Sequence, residues 1–167
     1  MHDRYTIQTA LTSDEPILWK MLFYAAHMDE DADATIDDAK KHDTLVQYVR
    51  EWGRDGDLGY IAWEVTSNSP TGAVWARIFP PKEGYSTVNE GTPELAIAVL
   101  PEYIGQGIGT RLMRRLLTDA AELYPAVALN VRADNPALRL YKRLGFRIVR
   151  EMTNRVGTLS YDMLCDL

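Results

Sequence analysis

The residues with the clearest chemical promise are three glycines at alternate positions, Gly105, Gly107 and Gly109, in the stretch VLPEYIGQGIGTRL. The apolar run ELAIAVL (94–100) leads into them and an amphipathic pattern follows from Ile108, so the loop joins a strand to the start of a helix. The first turn of a helix leaves backbone N–H groups unpaired, and the aligned peptide dipoles favour an anion there. Glycine lacks the Cβ that would hold a diphosphate away from the main chain. Phosphate is the natural guest, although a tight turn without a ligand would use the same glycines. A dinucleotide fingerprint starting at Gly105 needs glycine where Thr110 stands, and one starting at Gly107 needs it where Leu112 stands. No Gly-Lys pair follows, so the Walker pattern fails too.

The longer segment AIAVLPEYIGQGIGTRLM resembles the acetyl-CoA signature of the GNAT superfamily of N-acetyltransferases: arginine or glutamine, two residues, then Gly-x-Gly or Gly-x-Ala. Gly107 and Gly109 match, whereas Ile104 replaces the leading arginine or glutamine. A second segment, VRADNPALRLYKRLGF, is similar to another common block of that family and matches it at Asn135, Ala137, Tyr141, Gly145 and Phe146. The resemblance implies acetyl-CoA as cosubstrate, with its pyrophosphate seated on Gly105, Gln106, Gly107, Ile108, Gly109 and Thr110, and Asn135 nearby. It also implies that the pantetheine arm runs along the backbone of Ile97, Ala98 and Val99. Because such a loop contributes mainly main-chain amides, Ile104 should weaken a supporting contact more than the cradle itself.

Acyl transfer to an amine requires a neutral amine, a polarised thioester carbonyl and a proton for the departing thiolate. A lysine-like amine titrates near ~10.4, so a base must first remove a proton. Glu94, at the start of the central strand, is the first choice, since the family's bases are often carboxylates near there; Glu90 and His27 are held in reserve. A solvated strand end is the competing reading of Glu94. Tyr141 matches the tyrosine that protonates the thiolate in the family, and outside that motif it would read as an aromatic packed beside Leu138 and Leu144. The oxyanion is expected to meet a main-chain N–H within 97–99.

Arg111, Arg114 and Arg115 lie in the first turns of the helix after the loop, where cations oppose the dipole unless an anion is bound; an ordinary solvated face is the alternative, as for Lys142 and Arg143. The acids Asp29, Glu30, Asp31, Asp33, Asp37 and Asp38 would suit a cationic amine, but they also serve capping and solubility. Trp52, Trp63, Trp75 and Phe79 fit core packing better than an acceptor slot. Nothing in the sequence around Cys165 activates it as an acyl-carrying nucleophile.

The elements that must position these groups follow from periodicity. A strand is expected at 4–9, and a helix bearing Ile17, Met21, Tyr24 and Met28. A second helix, opened by Thr35 and carrying Ile36, Ala39, Leu45, Val46 and Val49, is expected to end near Gly53 and Gly56. The runs 59–66 and 72–79 form an antiparallel hairpin around SNSPT, and pairing Thr66 with Gly72 sets Trp63 opposite Trp75. After the strand at 94–100 come a helix stopped by Pro125, a buried strand AVALNVR, a helix opened by Asn135-Pro136 and closed by Gly145, and two final strands. The order β-α-α-β-β-β-α-β-α-β-β defines a mixed α/β sheet, and the resemblance implies a mostly antiparallel one flanked by helices.

The 167 residues, 46% of them apolar, fit a single domain spanning 1–167. A net charge of -6 without a basic block argues against nucleic acid, and no window is long and apolar enough to span a membrane. One cysteine rules out an internal disulfide framework and a multi-cysteine metal site, in keeping with a cytoplasmic protein that uses no metal. The expected partner is an amine acceptor, small molecule or protein, with a homodimer left open. Two rivals remain: a non-catalytic acyl-CoA sensor of the same fold, and, more distantly, a nucleotide-binding α/β domain.

Overall fold

The computed structural model describes residues 3–80, 91–154 and 156–167. Seven strands form one sheet: β1 (Tyr5–Thr9), β2 (Leu58–Glu64), β3 (Ser69–Arg77), β4 (Glu94–Val99), β5 (Ala126–Arg132), β6 (Arg147–Thr153) and β7 (Leu159–Asp166). Their spatial order is β1-β2-β3-β4-β5-β7-β6, and every pair is antiparallel except β4 with β5. The four α-helices are α1 (Glu15–Ala25), α2 (Ile36–Lys41), α3 (Ile108–Ala120) and α4 (Leu138–Arg143). A mixed, mostly antiparallel sheet flanked by helices is the architecture expected from the sequence.

Parallel neighbours need a long crossover, and α3 provides the one between β4 and β5. Its apolar positions Ile108, Leu112, Met113, Leu116 and Ala120 recur at helical spacing and are all buried. They join Leu95 of β4, Val127, Leu129 and Val131 of β5, and Tyr141 of α4 in one core on that side of the sheet. Strand alternation sends the next residues the other way, so Ala98 and Trp75 pack with Leu18, Leu22 and Trp52 on the α1 side.

Two local expectations are corrected. The second helix stops at Lys41 instead of running on past Val49, because His42 turns extended (φ -88, ψ 114) and Thr44 Oγ1 bonds its ring Nδ1 at 2.8 Å. A short 3-10 turn, Val46–Tyr48, then brings Leu45, Tyr48 and Val49 into the core. In the hairpin, Trp75 lies opposite Gly59, and Trp63 opposite Pro70, so the two tryptophans are not paired. The turn is tighter than expected: β3 resumes at Ser69 after Asn68, which takes a left-handed φ of 52. Packing enforces the register, since a Cβ on Gly59 would come within 2.7 Å of the Trp52 ring and 3.0 Å of Trp75 Cβ.

Arg77 ends β3 as a buried cation. Its Nη2 donates to Asp57 Oδ2 at 2.6 Å and its Nε to Oδ1 at 2.9 Å; Nη1 donates to the carbonyls of Gln47 (3.0 Å) and Arg50 (2.7 Å). Both side chains are nearly excluded from solvent, at 2% and 4% exposure, so losing one partner strands a charge. Asp57→Ala is therefore expected to lower stability by about 3 kcal/mol. Urea denaturation measures this, and an unchanged midpoint would deny the pair that role.

Candidate active site

The site begins where β4 and β5 part. Their register holds at one Cα pair, Glu94 with Ala128, and the Ala128 N–H donates to the Pro93 carbonyl at 2.9 Å. Beyond it each strand keeps its outer partner: β4 pairs with β3 from Glu94 to Val99, and β5 with β7 from Ala126 to Arg132. A cavity of about 460 Å³ opens in the gap. Its walls are Leu95, Ala96 and Ile97 of β4, Leu129 to Arg132 of β5, and residues from the end of α1 through Ala34. Asn135, Tyr141, Tyr48 and Ser160 also face it.

Glu94 sits at the closed end of this gap and is 2% exposed, so it is not a solvated strand end. The Tyr48 hydroxyl donates to its Oε2 at 2.8 Å, while Oε1 is buried without a hydrogen-bond partner among the described residues. Burial pushes the carboxyl up to about 8, opposed by the Tyr48 hydrogen bond, with Asp162 adding to the rise and Arg150 countering it. Glu94 is not itself part of the cavity wall, whereas its partner Tyr48 is. Tyr141 is 6% exposed, and burial alone raises its phenol to about 12. The cavity is thus lined by a phenol that stays protonated at neutral pH, and behind Tyr48, outside the wall, lies a carboxyl with a raised pKa.

At the far end of β4 the chain enters the glycine loop. Gly105 (φ 83) and Gly107 (φ 80) are left-handed, and a Cβ on either would meet nothing within 4 Å, so the main chain is open to a ligand there. Ile108 anchors the following turn in the core, while Ile104 points outward with 67% exposure. Gln106 is held from the β1 side: the Tyr5 hydroxyl and Arg4 (3.3 Å) both donate to its Oε1. Among the residues expected to bind the cosubstrate, Ile97 and Asn135 line the cavity; Val99, the loop positions and Thr110 lie outside its walls. Ala98 packs into the α1-side core. The Asn135 Oδ1 also accepts from the Ala137 N–H at 2.9 Å, bracing the turn into α4.

Of the cations after the loop, Arg111 pairs with Asp3 at 2.8 Å and Arg115 with Asp119 at 2.8 Å. His27 lines the cavity in a left-handed conformation, its imidazole held below the usual range by burial and by Arg132. Glu90 lies outside the described residues. Of the acids near α1 and α2, Glu30 and Asp31 border the cavity, while Asp38 caps Thr35. Trp52, Trp75 and Phe79 pack in the core and form no part of the cavity wall. Cys165 is buried beside the Leu144 carbonyl, and burial raises its thiol. Sequence reasoning missed Tyr48 and Asn130; a lone polar letter inside the apolar strand AVALNVR was the signal for the latter.

Residues 19–146 match the family model described as "Acetyltransferase (GNAT) family". An N-alpha-acetyltransferase from Sulfurisphaera tokodaii is 46% identical over 59 residues, a match that spans 34% of this chain and 35% of that relative. Among solved structures, an N-acetyltransferase from Staphylococcus aureus Mu50 superposes with a TM-score of 0.71 at 21% identity, covering 98% of this chain and 99% of the other. The ribosomal-protein-S18-alanine N-acetyltransferase from Escherichia coli has a TM-score of 0.65 at 18% identity, covering 97% and 93%. At these identities the two structures speak for the fold.

Glu94 gives a stability prediction that is independent of activity. Its carboxyl titrates at 4.5 when solvated and at about 8 in the fold. Between those values the folded chain keeps a proton that the unfolded chain has lost, so stability falls as pH rises through that window. Glu94→Gln should remove that loss, and its Tm advantage over the wild type should grow from pH 5 to pH 8. Parallel melting curves across that range would contradict the buried, proton-binding carboxyl.

Proposed function

The chain belongs to the acetyltransferase (GNAT) family, and from that premise we propose that it moves an acetyl group from acetyl-CoA to a primary amine, by direct attack in a ternary complex. The observation that carries this reading is the parted β4 and β5 with a cavity between Tyr141 and the Tyr48–Glu94 pair. The open main chain at Gly105 and Gly107 fits a diphosphate, as does the 13-residue helix that starts at Ile108. In this reading Gly105, Gln106, Gly107, Ile108, Gly109 and Thr110 hold the diphosphate, Ile97, Ala98 and Val99 guide the pantetheine arm with their backbone, and Asn135 supports it. Bound acetyl-CoA supplies the activated thioester.

Each remaining task falls to this chain. Glu94 takes the proton that the acceptor amine must lose, with the Tyr48 hydroxyl standing between it and the cavity. A main-chain N–H within 97–99 faces the oxygen that gains charge. Tyr141 holds a proton on its hydroxyl for the departing sulfur, and its high pKa keeps that proton in place at neutral pH. Asp31 at the cavity wall favours a cationic acceptor, while Glu30 beside it is paired with Arg132 of the same wall at 3.0 Å. One domain is enough to carry all these parts. The same fold without turnover, as an acyl-CoA sensor, would bind CoA and release no thiol.

Thiol release from acetyl-CoA across a panel of amines tests the assignment. Tyr141→Phe is expected to keep CoA affinity and to lower kcat about a hundredfold; an unchanged rate would remove Tyr141 from the chemistry. For the wild type, the rate should climb with pH to about 8 as Glu94 ionises. Glu94→Gln should lie below it and move the rise to higher pH, and a variant retaining both rate and profile would transfer the base role to another group.

A further inference from the structure

One polar assembly at the cavity has no part in the steps above. On the α1-facing side of the sheet, Asn130 of β5 stands opposite Asp162 of β7, which stands opposite Arg150 of β6. Asp162 is fully buried, and its Oδ2 accepts from Arg150 Nε at 2.8 Å and Nη2 at 2.6 Å. Its Oδ1 accepts from Asn130 Nδ2 at 3.0 Å, and the same Nδ2 lies 3.1 Å from Met152 Sδ. A carboxylate and a thioether can only accept here, so the amide must turn its NH2 group toward β7 and β6. The carbonyl Oδ1 is then left free of hydrogen bonds from the described residues, on a side chain that lines the cavity. Asn130 lies two residues past Ala128, where β5 has left β4, on the same strand face as that pair.

We propose that Asn130 is an acceptor-binding residue whose Oδ1 receives an N–H of the incoming amine, and that Asp162, locked by Arg150, is the positioning residue that fixes the amide in this orientation. The inference rests on the acetyltransferase reading and adds a determinant for the acceptor. Its chemistry suits the reaction. A neutral carbonyl holds an amine through an N–H yet does not favour the protonated form as a carboxylate would, so the lone pair needed for attack stays available. A primary amine that has lost its extra proton still has an N–H to donate while its lone pair faces the thioester. The ammonium is favoured less at this point than farther out, where Asp31 borders the cavity.

The test uses spermidine and a short peptide with a free N-terminal alanine as acceptors, with acetyl-CoA saturating. Asn130→Leu removes the acceptor atom at similar volume, and Asn130→Ala removes it with a smaller side chain, so one variant covers a packing failure of the other. Expected in each is an amine KM raised about tenfold or more for whichever probe the wild type acetylates, with kcat changed much less. CoA affinity by calorimetry should stay at its wild-type value, while the melting temperature falls modestly because Asp162 Oδ1 loses its Asn130 donor; a merely structural role would lower the melting temperature without raising the amine KM selectively. An amine KM within threefold of wild type in both variants, with CoA binding intact, overturns the assignment of Asn130. The acetyltransferase reading fails differently: the wild type then releases thiol with neither probe, and the inference falls with it.

Discussion

The site depends on one constraint: two parallel strands that meet at a single Cα pair and are each fully laddered on the opposite side. β4 is held in the sheet by β3 and β5 by β7, so each strand is anchored through its outer edge while the two inner edges diverge. The facing edges therefore keep backbone N–H and C=O groups that need partners. An extended ligand arm carrying amides can supply them much as an added strand would. α3, as the crossover, carries the glycine loop to one end of the gap, and α4 places Tyr141 over it. The cavity is a consequence of strand pairing, and the chemistry is hung on its rim.

The same geometry sets the electrostatics. Glu94 lies at the last paired position, where side chains from both strands still exclude water, and burial is the largest cause of its raised pKa. One oxygen is satisfied by Tyr48 and the other has no partner among the described residues. A buried carboxyl with a single donor gains little from ionising until the pH approaches 8. Asp162 and Arg150 act on it with opposite signs, the carboxylate adding to the rise and the guanidinium opposing it. Tyr141 feels only burial and stays a donor. Environment thus separates the two titratable groups, one pushed up to about 8 and the other to about 12.

Period and punctuation made most of the fold legible. The strict apolar spacing of 108–120 and the apolar runs at 94–100 and 126–132 named the crossover and both strands of the gap, and the alternating glycines named the loop. The misreadings share a physical origin in tertiary packing. Apolar Leu45, Val46 and Val49 continue a helical period, but they reach the core through a 3-10 turn after His42 leaves the helix. The hairpin register was decided by the fit of Trp52 against Gly59, a contact between residues that no local pattern links. The burial of Glu94 was hidden for the same reason, since its hydroxyl partner Tyr48 is 46 residues away. Asn130 differs: its role follows from neighbours on two other strands, yet a single polar residue in a buried strand already asked for a partner.

The departure at Ile104 tests how far this logic reaches. Its side chain is 67% exposed and brings no cation, while Arg4 and Arg111 beside the loop are bonded to Glu64 and Asp3. Attraction for an anion must then come mostly from main-chain N–H groups, whose aim is set by backbone conformation and not by side-chain identity. That conformation is fixed at both ends: Gly105 and Gly107 hold left-handed angles, Ile108 is sunk in the core, and Gln106 is tied to Tyr5 and Arg4. A cradle of this kind tolerates a lost side chain at 104. It does not tolerate a change at 107, where a residue with Cβ would have to adopt the strained region that the first turn of α3 requires.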